Sequence, residues 1–182
     1  MDASALHRVL AVLPHILTAS RLAATPVIFV AAYLGALGVA TVLVVLAMAT
    51  DLIDGPLIRR FGRPSTAGAY FDVWADFLTV FATFAGLALA GAIPIWPLLP
   101  IGLSFLLFLA TSRARPTIYD PIGRYIGVVL LIAALVLLAV QDFVVQETLY
   151  LTVAISGAIG MAGRIGYLTR PLWDRRGTSG TP

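Results

Sequence analysis

Apolar residues run along almost the whole of this chain, and polar positions fall in short clusters between long hydrophobic stretches. Six of those stretches are long enough to cross a hydrocarbon layer of about 30 Å. The pattern predicts helices over residues 13–35, 37–60, 66–91, 93–112, 121–141 and 146–168. No polar block between them is large enough for a soluble domain, so the expected fold is all-α and polytopic, with six transmembrane helices. Residues 2–12, DASALHRVLAV, are short and mildly amphipathic and predict an N-terminal interfacial helix lying along the inner membrane surface. The first long stretch is too long for the apolar core of a leader and is interrupted by Arg21, which argues against a signal peptide. Residues 1–170 are expected to form a single membrane domain, and the polar residues 171–182, ending in RRGTSGTP, a disordered tail.

Composition strengthens this picture. Of 182 residues, 60% are hydrophobic and 12% charged, against about a quarter charged in soluble proteins. The mean hydropathy is +0.97. All twelve basic residues are arginine, and their placement tests the helix count, because arginine accumulates on the cytoplasmic side. With the N-terminus inside, Arg8 and Arg21, then Arg59, Arg60 and Arg63, then Arg113, Arg115 and Arg124, then Arg164, Arg170, Arg175 and Arg176 all fall on that side. The outer turns hold only Asp142 and Glu147. Both termini are therefore expected in the cytoplasm of a bacterial-type inner membrane. The absence of cysteine excludes disulfides, and no nucleic-acid partner is expected.

Against this background four carboxylates stand out. Asp51 and Asp54 are three residues apart, and Asp72 and Asp76 four apart, so each pair shares a helix face. A carboxylate deep in a bilayer costs roughly 2.5–3.5 kcal/mol, and four of them about 10 kcal/mol, a burden that implies metal, proton or substrate binding. A rise of 1.5 Å per residue places Asp51 roughly 10 Å, Asp76 about 13 Å and Asp72 about 7 Å from the cytoplasmic boundary. In an antiparallel hairpin, Asp51 then lies level with Asp76 and Asp54 with Asp72, and the site opens to the cytoplasm. Such a cluster cannot be fully ionised without cations. An all-oxygen site suits Mg²⁺, Mn²⁺ or Ca²⁺, and with only His7 and His15 available a zinc site is disfavoured. Arg59, Arg60 and Arg63 ring its mouth, a combination suited to phosphoryl chemistry.

Residues 51–76 read DLIDGPLIRRFGRPSTAGAYFDVWAD, or D-x2-D-G-x2-I-R-x8-G-x3-D-x3-D. This resembles the signature of the CDP-alcohol phosphotransferase family, D-x2-D-G-x2-A-R-x8-G-x3-D-x3-D. Asp51, Asp54, Gly55, Arg59, Gly68, Asp72 and Asp76 stand at its fixed positions, and Ile58 replaces its alanine. The resemblance implies transfer of a phosphatidyl group from a CDP-linked lipid such as CDP-diacylglycerol to an alcohol, with release of CMP. It implies that Asp51, Asp54 and Asp72 hold Mg²⁺ or Mn²⁺, as two ions, and that Asp76 completes the metal site and acts as the base. It also implies that Gly55, Arg59, Ser65 and Gly68 help Asp51 seat the CDP moiety. Family members are commonly homodimers. Ile58 follows Asp54 by four and is expected to narrow the nucleotide pocket, while Pro56 is expected to bend its helix.

The opening LPHILTASRLAATP is similar to the L-P-N-x-L-T-x-x-R-x-x-x-x-P start common among bacterial phosphatidylglycerophosphate synthases and cardiolipin-synthase-like relatives, with His15 in place of asparagine. Thr18 and Arg21 share a face, and Arg21 is expected to point inward to an anion or carboxylate. In SRARPTIYDPIGRYIG, Arg113, Arg115 and Arg124 are candidates for holding the phosphate of a phosphorylated acceptor; the positive-inside rule accounts equally well for the first two. Glycerol 3-phosphate leads as acceptor, with inositol phosphate, another polar alcohol or phosphatidylglycerol as alternatives. Two readings of other kinds are a divalent-cation transporter, which does not explain the spacing of Gly55, Arg59 and Gly68, and a catalytically inert homologue, which Ile58 and Pro56 suggest and the four retained aspartates oppose. Trp96, Trp173, Tyr150 and Tyr167 read mainly as interface anchors, Trp74, between the aspartates, as packing against neighbouring helices, and Gly157, Gly160 and Gly163 as sites of close helix packing.

Overall fold

The computed structural model describes residues 3–61, 66–114 and 121–169. Six helices account for nearly all of them: α1 (Ala3–Tyr33), α2 (Leu37–Phe61), α3 (Thr66–Leu89), α4 (Leu98–Ala114), α5 (Pro121–Ala139) and α6 (Phe143–Thr169). Their limits follow the hydrophobic stretches closely except at two starts: α4 begins at Leu98 and not at residue 93, and α1 begins at Ala3. Residues 3–12 continue into α1 as one helix rather than forming a separate interfacial element. Pro56 does not end α2, which runs through it to Phe61.

The turns explain where the helices stop. Gly35 and Gly91 adopt φ of 74° and 72°, left-handed values that glycine reaches without a Cβ penalty. After each, the chain folds back on the last turn: Ala36 N–H donates to Ala31 O at 2.8 Å, and Ala92 N–H to Leu87 O at 2.9 Å. At the start of α6, Asp142 Oδ1 accepts from the backbone N–H groups of Val144 (3.0 Å) and Val145 (3.1 Å), capping two otherwise unpaired donors.

The apolar core collects Ile28, Ala32, Ala40, Val44, Val80, Phe84, Leu87, Leu137, Leu138 and Val153. These residues lie near the end of α1, the start of α2, the end of α3, the end of α5 and the start of α6. They therefore meet at one end of the bundle, the end of the Gly35 and Gly91 turns. Close approach there depends on Gly86, where an added Cβ would stand 2.7 Å from Phe29 O and 2.8 Å from Ala32 Cβ. α1 thus crosses α3 with almost no space between them.

The outward surface is also apolar. Val42 and Leu46 on α2, Leu99, Leu103 and Leu106 on α4, and Leu151, Ile155 and Ile159 on α6 are all exposed at helical spacing. Water would penalise such a surface, whereas lipid tails do not. Among the described residues, three helices are long and apolar enough to cross a membrane, over Ile16–Tyr33, Tyr70–Leu89 and Phe143–Gly163. This is a membrane protein with an all-helical fold.

α1 packs extensively on both α2 and α3, whereas α2 and α3 touch each other sparingly. The expected α2–α3 hairpin is therefore opened by α1 lying between its arms. On the far side of α3, aromatic side chains join it to α4. Phe77 stacks on Phe105 with ring centroids 3.6 Å apart, and Trp74 meets Phe105 edge-on at 4.7 Å. Tyr150, expected at an interface, is buried against Trp96 because the loop before α4 folds over the start of α6.

Candidate active site

Among the described residues, four charged side chains from three helices meet at the polar end of the bundle. Arg21 projects from α1, Asp51 from α2, and Asp72 and Asp76 from one face of α3. The arginine is buried to 2% exposure, while the aspartate side chains retain 32%, 41% and 29% in that order. Arg21 Nη1 donates to Asp76 Oδ1 at 2.6 Å and to Asp51 Oδ1 at 3.2 Å, and Nη2 donates to Asp72 Oδ1. Nη2 also approaches the buried Thr18 Oγ1 at 3.5 Å, the limit of bonding distance.

This arrangement has a simple electrostatic cause. A buried guanidinium without anions carries a large desolvation penalty, and three carboxylates without a cation repel one another. Placed together they offset both costs. The planar fork of arginine reaches several acceptors at once, which a lysine ammonium on a flexible stem matches poorly. α1 therefore connects carboxylates on two helices that scarcely meet. The inward orientation expected for Arg21 is seen; its place at the centre of three aspartates is the part that sequence reasoning missed. Its signal was an arginine inside an apolar stretch, with Thr18 three residues before it on the same face.

Asp51, Asp72 and Asp76 each offer an oxygen, all within 4.8 Å of one another. Metal–oxygen bonds of about 2.1 Å for Mg²⁺, or 2.3–2.6 Å for Ca²⁺, set ligand separations of that order. The donor set is hard oxygen throughout, which fits a hard divalent cation. Among the described side chains, three carboxylates and one guanidinium leave the cluster with net negative charge, the sign that attracts a cation. By distance, donor chemistry and charge, these residues fit a metal.

Gly68 lies half-buried in the first turn of α3, on the side of Asp72. The side chains of Asp54, Arg59, Arg113 and Arg124, and the environment of Gly55, lie outside the described part of the structure, as do residues Ser65 and Arg115 altogether. Trp74 points to α4 instead of to the carboxylates flanking it in sequence. An open apolar groove of about 310 Å³ runs between α1 and α3 from Thr25 and Pro26 to Phe81 and Ala85. It begins one turn beyond Arg21 and bears no charged side chain, so the chemistry belongs to the carboxylates and not to the groove.

A helical membrane bundle that carries converging carboxylates on an arginine at its polar end defines a class: integral membrane proteins with an acidic, cation-ready site. The family is specific. The CDP-alcohol phosphatidyltransferase model matches residues 11–160, and the chain belongs to that family, whose reaction moves a phosphatidyl group from a CDP-linked donor to an alcohol. No solved structure matches the chain.

Proposed function

We propose that this protein is a phosphatidylglycerophosphate synthase-like enzyme that transfers the phosphatidyl group of CDP-diacylglycerol to glycerol 3-phosphate and releases CMP. The observation that carries the reading is the convergence of Asp51, Asp72 and Asp76 from α2 and α3 at one point, together with the family match. The choice of acceptor rests on the LPHILTASRLAATP opening, whose Thr18 and Arg21 lie at that same point. Inositol phosphate, another polar alcohol and phosphatidylglycerol are the alternative acceptors.

Asp51, Asp54 and Asp72 hold Mg²⁺ or Mn²⁺, as two ions, with Asp76 completing the set. Bound there, the metal would supply positive charge to the pyrophosphate and to the departing CMP. Asp76 Oδ takes the proton of the acceptor hydroxyl. The acceptor oxygen forms its bond to the lipid phosphorus as the bond from that phosphorus to the CMP oxygen breaks. Gly55, Arg59, Ser65 and Gly68 seat the CDP moiety, the two glycines by leaving room for it. Arg113, Arg115 and Arg124 hold the acceptor phosphate. All six helices cross the membrane with both termini cytoplasmic, so that the site faces the nucleotide and the soluble acceptor. Residues 1–170 form the catalytic domain, residues 171–182 a polar tail, and two chains a homodimer.

The test is CMP release by purified protein given CDP-diacylglycerol, Mg²⁺ or Mn²⁺ and a panel of alcohols. Release with glycerol 3-phosphate alone is the expected result. Release with a different alcohol replaces the acceptor, and no release with any of them removes the catalytic reading.

A further inference from the structure

We propose that Arg21 is a built-in counter-cation, a positioning residue that holds the carboxylates together in metal-free protein and yields them to a divalent cation. The inference rests on the metal-dependent reading above and concerns a side chain which that reading leaves without a part in metal binding.

The geometry makes the competition direct. Asp51, Asp72 and Asp76 each turn an Oδ1 to the guanidinium. Asp76 Oδ1 stands 2.6 Å from Nη1 and Asp51 Oδ1 3.2 Å from the same nitrogen. An ion at about 2.1 Å from those oxygens would occupy nearly the space that the nitrogen fills. The net negative charge of the described cluster invites the ion while the guanidinium blocks it. Arginine does not lose its proton in proteins, so neutralisation offers no escape and the side chain has to move. Thr18 Oγ1, 3.5 Å from Nη2 and on the same helix face, gives the displaced guanidinium a neutral acceptor within a short swing.

The sparse contact between α2 and α3 gives this exchange a purpose. Without a cation between them, their carboxylates would repel and the polar end would splay. Arg21 supplies that cation until metal replaces it, so the ligands are already gathered when the ion arrives.

The experiment uses the full chain in detergent and Mn²⁺ alone as probe. Binding is followed by the spin resonance of free Mn²⁺, and thermal unfolding is measured with and without the ion. Arg21→Met is expected to bind Mn²⁺ about tenfold more tightly than the unchanged protein, the change that about 1.4 kcal/mol produces. It is also expected to unfold at lower temperature without Mn²⁺ and to gain more from its addition. Arg21→Lys, which keeps the charge but not the fork, is expected to fall between them, and it decides the matter if Arg21→Met does not fold. Unchanged or weaker Mn²⁺ binding in the folded variants overturns the counter-cation role and leaves the metal site standing. Absence of Mn²⁺ binding in every form, the unchanged protein included, overturns both.

Discussion

The two ends of the bundle are built on opposite principles. At the end of the Gly35 and Gly91 turns, Ile28, Ala32, Val44, Val80, Phe84 and Val153 are almost fully buried, and Gly86 lets α1 lie directly on α3. At the other end α2 and α3 stand apart, and an arginine with three half-buried aspartates fills the gap. In lipid, apolar surface gains little by leaving its surroundings, so the first end is held by close van der Waals contact. Charge pairing holds the second. Close contact is lost on any displacement, whereas ion pairs can change partners. The packed end fixes the helix positions, and the charged end keeps partners that can be exchanged.

Loss of a single carboxylate at the charged end should therefore abolish chemistry with little loss of fold. Asp72→Asn preserves shape and removes one charge from the cluster. CMP release is expected to fall about 10³-fold, since metal stabilisation of a transition state is worth several kcal/mol and each 1.36 kcal/mol is tenfold. The thermal midpoint is expected to move little, because one repulsive partner is lost along with one ion pair. A decrease of less than about tenfold would separate Asp72 from the chemistry.

Gly86→Ala tests the junction between the two ends. The new methyl would meet backbone and Cβ atoms of α1 at 2.7–2.8 Å. The helices must part, at a cost of about 1–3 kcal/mol. Because α1 carries Arg21 and α3 carries Asp72 and Asp76, CMP release by the folded fraction should fall as well, by about tenfold. Full activity in a destabilised protein would show that the charged end adjusts independently of the crossing.

Gly157→Ala gives the contrast. Its Cβ would stand 2.8 Å from Pro100 Cβ and 3.3 Å from Pro100 O, where α6 meets α4 away from the carboxylates. A proline ring yields little, so a loss of about 1 kcal/mol in stability is expected. Activity per folded molecule should be unchanged. Gly160 likewise packs within the chain, on Ile126 of α5.

Much of this was readable from the sequence, because hydrophobic length sets helix limits and helical periodicity sets which carboxylates share a face. Asp51 meets Asp76, as the rise per residue implied, and Arg21 turns inward. What was not readable is which helices are neighbours. In a water-soluble helix a polar face marks the outside, but here both the core and the lipid surface are apolar, and the pattern does not distinguish Val44, buried, from Val45, exposed. α1 was therefore not expected between α2 and α3. Tyr150 shows the same limit: an amphipathic ring suits an interface, yet the loop bearing Trp96 covers it. The mild amphipathicity of residues 2–12 suits an interfacial helix, although amphipathicity does not by itself break a helix, and α1 runs unbroken from Ala3.

The smallest expected effect lies on the border between the ends. Thr18 is buried and faces Arg21 Nη2 at 3.5 Å, too long for a strong bond. Three aspartates already hold the guanidinium at shorter or comparable distances. Thr18→Val conserves volume and removes the hydroxyl, so its cost should be near the lower limit for a hydrogen bond, about 0.5 kcal/mol. CMP release should fall by no more than about threefold, a change of the same small size. If Arg21 swings to this hydroxyl when metal binds, the loss should be larger with saturating Mn²⁺ than in the thermal stability of metal-free protein. Equal small effects in both states would place Thr18 with the packed end, as a filler of space. A loss confined to the metal-loaded state would place it with the charged end and move the boundary between the two ends one helical turn along α1.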